Sequence, residues 1–94
     1  MAEVHHEITK HANRQHEIVK QFVQLETKRE AAIDEAVALC EKGLDFSVNA
    51  VNQVTEQINE LARTTGIVPV RKFVTVEMVK EYVARKQGLS KKSI

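Results

Sequence analysis

The chain of 94 residues has no tryptophan, three phenylalanines, one tyrosine, one proline, three glycines and a single cysteine. Each scarcity excludes something. With so few aromatics the core must be built from Val, Ile, Leu and Ala, which suits helices packed on helices. Three glycines and one proline are too few for the many turns of an all-β fold. One cysteine, Cys40, allows no intramolecular disulfide, and a lone thiol fits a reducing cytosol. No apolar run approaches the roughly 20 residues that cross a bilayer. The opening MAEVHHEITK is too polar for a signal peptide. The chain is therefore expected to be cytoplasmic and to make no use of a membrane.

An excess of charge is also lacking. Fourteen Lys and Arg stand against thirteen Asp and Glu, a net charge of +1. That balance argues against a general nucleic-acid binder, whose affinity comes from neutralising phosphates. The signs are nevertheless segregated. Residues 1–70 carry 7 basic and 11 acidic side chains, a net of −4, and residues 71–94 carry 7 and 2, a net of +5. Such polarity could pair the tail of one copy with the acidic face of another or with an anionic partner. The plainer reading is a solvated basic tail over residues 89–94.

What is present is a stretch without Pro or Gly across residues 3–42, ending at Gly43. It reads as one long helix. Positions 4, 8, 11, 15, 18, 22, 25, 29, 32, 36 and 39 alternate steps of four and three, a heptad-like seam. A second stripe of Val19, Val23, Ile33, Val37 and Cys40 widens the apolar face, as in a helix that packs on more than one neighbour. Residues 1–15 hold few apolar side chains and read as a loosely held segment. The polar patch at residues 26–30 is where a break would fall. Gly43 is a natural C′ residue, with Leu44 reaching back to Leu39.

Ser47 is expected to cap a second helix that runs to Gly66, with Val48, Val51, Val54, Ile58, Leu61 and Ala62 inward and Asn49, Asn52, Gln53, Glu56, Gln57, Asn59 and Glu60 in water. Pro69 and its β-branched neighbours predict an extended linker. If that linker were a strand, its partner would have to come from a second copy. Thr75 is expected to cap a third helix, with a Glu81–Arg85 pair on its surface and a stop at Gly88. The expected core is Phe22, Ile33, Val37, Cys40, Leu44, Phe46, Val51, Val54, Ile58, Leu61, Phe73, Val79, Tyr82 and Val83. The fold class is all-α in a single domain over residues 1–94: a long N-terminal helix and two shorter ones, a helical hairpin or bundle completed by dimerisation.

Chemistry is hard to find. His5, His11 and His16 are the weak metal candidates, with His6 beside them. Neighbours five apart point to different sides of a helix, whereas a helical zinc site wants ligands four apart. His11 is better placed as a register-setting polar contact on the seam. No histidine can reach Cys40 to activate it, and a di-metal bundle needs the Glu-x-x-His pattern on two helices, whereas this chain has it once, from Glu3 to His6. A helix–turn–helix reading, with Arg71 and Lys72 on phosphates, fails on the connection between the second and third helices. It is far longer than that motif's turn. No catalytic residue, cofactor or metal is therefore expected.

The segments Phe46-Ser47-Val48, Ile58-Asn59-Glu60-Leu61-Ala62, and Pro69 followed by Val74-Thr75-Val76-Glu77-Met78-Val79, together with the histidine-bearing helix and the stretch from Glu35 to Cys40, resemble a set of small uncharacterised proteins of Bacillus-like bacteria. That family is known only as a domain of unknown function. The resemblance covers nearly the whole chain and implies no activity and no site.

The functional expectation is a cytoplasmic, non-enzymatic interaction or assembly module, with a protein partner left open. The alternatives are a histidine-cluster metal protein or a weak nucleic-acid binder. The shorter helices cover the long one only as far as about Val23 or Leu25. Ile8, Ile18, Val19, Phe22 and Leu25 are thus expected to form the interface of an antiparallel homodimer. A break at residues 26–30 would instead give a four-helix monomer.

Overall fold

A computed structural model of the chain describes the backbone of residues 2–92 and the side chains of residues 13–88. Three helices follow one another: α1 (Ala2–Glu41), α2 (Asn49–Thr65) and α3 (Val76–Lys92). No strand occurs among the described residues. At 1.5 Å per residue, α1 with its 40 residues is about 60 Å long. It runs unbroken through residues 26–30, so the four-helix arrangement does not form. The seam positions from Ile18 to Leu39 are all buried or half-buried, and this is the face that α2 covers.

Gly43 stops α1 at φ 73°. Its N–H donates to the Cys40 carbonyl, and the Leu44 N–H donates to the Leu39 carbonyl, both at 3.0 Å. That pair of bonds is the Schellman arrangement expected from the glycine. The Leu44 side chain itself stays exposed. α2 then returns antiparallel to α1. The Arg29 Nε donates to the Thr55 hydroxyl at 2.9 Å, which sets the register of the hairpin. Counting equal rises in opposite directions from that pair, Asn49 is level with Glu35 and Thr65 with Val19. Cover by α2 therefore extends past Val23 and Leu25 to Ile18, which is 8% exposed. Beyond it, residues 2–17 of α1 project for about 24 Å without α2 beside them.

α2 begins one residue later than expected. Val48 takes the N-cap position without a side-chain bond, while the Ser47 hydroxyl accepts from the Asn49 N–H at 3.1 Å. Thr75 does cap α3, accepting from the Met78 N–H at 3.1 Å. α3 does not stop at Gly88. Its backbone is helical to Lys92, so the basic tail is helical as far as it is described, and Ser93 and Ile94 lie outside the described residues. Glu81 and Arg85 are both exposed and form none of the ion pairs among the described residues.

The core joins all three helices. Ala36 and Val37 of α1, Val51 of α2, Val74 of the linker and Val79 and Val83 of α3 make one cluster, with Phe46 and Cys40 packed against it. Ile58 and Thr55 are fully buried. Three expected core members are exposed instead: Leu44, Phe73 and Tyr82. The inward positions beside the last two are taken by Val74, and by Val79 and Val83.

Candidate interaction surface

The linker between α2 and α3 is where the chain's polar chemistry converges. An extended segment carries backbone donors and acceptors that must find partners. Two asparagines seven apart on α2 supply them. The Asn52 Nδ2 donates to the Val74 carbonyl at 2.9 Å and its Oδ1 accepts from the Val74 N–H at 2.8 Å. Asn59 does the same for Arg71, at 3.0 and 2.7 Å. Each side-chain amide stands in for one residue of a neighbouring strand. Asn52 and Asn59 are thus half-buried clasps rather than water-facing residues, and the segment needs no strand from a second copy.

α1 holds the linker from the other side. The Arg29 Nη2 donates to the Lys72 carbonyl at 2.9 Å, while its Nε bonds Thr55 and the Thr55 hydroxyl in turn donates to the Val51 carbonyl at 2.9 Å. The Arg71 Nε donates to Glu26 Oε1 at 2.7 Å, and its guanidinium lies 5.4 Å from the centre of the Phe22 ring. The hydrogen bond to Glu26, helped by the charge attraction and opposed by desolvation, pushes the Arg71 pKa further up. Within the patch at residues 26–30, Glu26 and Arg29 are therefore anchors. Arg71, one of the two phosphate candidates, is paired with Glu26.

Two of the apolar surfaces that stay open among the described residues lie on α1. Val19 and Val23, 44% and 55% exposed, lie on the second stripe of α1, N-terminal to the part that α3 covers. Of the expected interface, Ile18 is buried within the chain, Phe22 and Leu25 are half-buried, and Val19 is exposed. Ile8 lies outside the described side chains. The other surface is a groove of about 520 Å³ between α1 and α3. Ile33, Val37, Val74 and Val79 line it, with Met78, Tyr82 and Lys86 on the α3 lip and Asp34 and Glu41 on the α1 lip. The Lys86 Nζ donates to Glu41 Oε1 at 3.3 Å at one end.

His16 is exposed, and the side chains of His5, His6 and His11 are outside the described set. No group of three or more His, Cys, Asp or Glu that could hold a metal ion occurs among the described residues. No described helix is long and apolar enough to cross a membrane. The asparagine clasps, the Arg29 bridge and the groove are features that helical periodicity does not reveal. Only the unanswered backbone groups around Pro69 could have pointed to the clasps.

Comparison with known proteins agrees with the resemblance read from the sequence. Residues 2–85 match the family described as "Protein of unknown function (DUF2533)". The "Uncharacterized protein YpbS" of Bacillus subtilis (strain 168) is 51% identical over 85 residues, covering 90% of this chain and 99% of that protein. No solved structure matches. With the match extending from the start of α1 into α3, the chain belongs to the DUF2533 family of proteins of unknown function.

Proposed function

We propose that the protein is a small cytoplasmic, non-enzymatic helical module whose first partner is a second copy of itself. The observation that carries this is the exposed pair Val19 and Val23, next to residues 2–17 of α1, which project beyond α2. Surface area supports the reading. The chain exposes 7408 Å², against about 5,500 Å² for a compact chain of its mass. The excess of about 1,900 Å² is larger than the roughly 800 Å² that each partner of a standard interface buries. Two α1 helices laid antiparallel along residues 8–25 form a closed, isologous pair that covers the bare stripe. No acid, base and nucleophile converge among the described residues, so the reading assigns no reaction.

Val23→Asp tests this, because the site is exposed and the change leaves the chain's own core alone. A charge in an apolar contact should weaken self-association by about tenfold or more while far-ultraviolet circular dichroism stays helical. Equal masses for parent and variant at every concentration would contradict the dimer.

A further inference from the structure

The groove between α1 and α3 lies C-terminal to the exposed Val19 and Val23 on the same side of α1 and differs from them in charge. At 3.6 residues per turn, Val23, Glu30, Asp34, Val37 and Glu41 fall within one narrow band of α1; Asp34 and Glu41 line the groove, and Glu30 stands one turn beyond its end. Glu41 is paired with Lys86, but Glu30 and Asp34 are exposed and in none of the ion pairs among the described residues. The floor is aliphatic, and the opposite lip offers Met78 and Tyr82, 45% and 55% exposed. A thioether with three rotatable bonds adapts to varied apolar shapes, and a phenol serves a site that is apolar at one end and wet at the other. Two helices with an open trough between them accept the apolar ridge of a third.

From this arrangement we infer that the groove is a docking site for a cationic amphipathic helix of another protein, with its apolar ridge over Ile33 and Val37 and its lysines or arginines against Asp34. The charge of the lip selects the occupant. A second copy laid there with its own groove face inward would set Asp34 and Glu41 against the same carboxylates, which is repulsive. The antiparallel dimer also leaves the groove open. In a pairing centred on residues 8–25, residue 31 of one copy faces residue 2 of the other, so the partner helix runs out at the mouth of the groove. The inference goes beyond self-association and holds for a monomer as well.

The test is a titration of the full-length ¹⁵N-labelled protein with two synthetic helical peptides. They share one leucine ridge, flanked by lysines in the first and by glutamates in the second. The lysine peptide should shift the amide signals of Ile33, Val37, Met78 and Tyr82 and bind about tenfold or more tightly than the glutamate peptide. Asp34→Lys, a change at an exposed position, should reverse that order, and Tyr82→Asp should weaken both. Val23→Asp should bind the lysine peptide as the parent does, so failure of the dimer and failure of the groove are told apart. Equal binding of the two peptides, no shifts at millimolar peptide, shifts confined to residues 13–25, or a Tyr82→Asp variant that loses only self-association would each overturn the assignment.

Discussion

Arg29 is the residue on which two connections meet. Its guanidinium reaches the hydroxyl of the fully buried Thr55 and the carbonyl of Lys72 with two different nitrogens. Lysine has one nitrogen on a flexible stem and cannot span both acceptors. Arg29→Lys should therefore lose about 2 kcal/mol, read as a lower midpoint in urea, and a loss below about 0.5 kcal/mol would show that the bridge is dispensable. Asn52 makes a sharper test because it both donates to and accepts from Val74. In Asn52→Asp the ionised carboxylate keeps the acceptor but faces the Val74 carbonyl without a donor. The loss should be about 2 kcal/mol at neutral pH. Protonation restores an O–H donor, so the folded state raises the pKa of the new carboxyl. Stability relative to the parent should then recover as pH falls through the carboxylate range. A difference that does not change with pH would mean that the clasp is not a two-way hydrogen bond.

Among the elements, α1 was the most legible. Absence of Pro and Gly over residues 3–42 and the four-three spacing gave its span, and Gly43 gave its end. Thr75 likewise marked the start of α3. What misled was context. Gly66 and Gly88 look alike as stop signals, each followed by an aliphatic residue. Only Gly66 adopts the left-handed conformation, at φ 67°, with its N–H donating to the Ala62 carbonyl at 2.8 Å, whereas Gly88 sits inside α3. A pair of substitutions separates them. Gly88→Ala places its Cβ in open space and should add roughly 0.5–1 kcal/mol of stability. Gly66→Ala should cost about 1 kcal/mol, although it also meets no atom within 4 Å. Thermal midpoints that move the same way in both variants would contradict this reading of the two helix ends. Asn52 and Asn59 escaped notice for a related reason: polar residues on the outer face of an amphipathic helix read as solvated. Their role appears only when the hydrogen-bonding groups of the extended linker are each assigned a partner. Ala36 and Ala62 were expected on inward faces but not among the core residues, and Val74 not at all, because small or linker residues fill the space close to α1, leaving larger Phe73 and Tyr82 outside.

At the scale of the whole molecule, shape is the dominant feature. The chain measures 67 × 29 × 16 Å with a radius of gyration of 18.9 Å, against about 12 Å for a compact domain of its length. Its core lies at one end, where α2 and α3 cover residues 18–41 of α1, and the rest of α1 projects from it. A single helix of this sort is stabilised chiefly by packing along an apolar stripe rather than by its own propensity, so the projecting segment calls for a companion. Sedimentation equilibrium of the full chain at micromolar concentration measures that directly. The expected species has twice the 10.7 kDa chain mass and dissociates on dilution and in Val23→Asp. A 10.7 kDa species that persists throughout that range would contradict it.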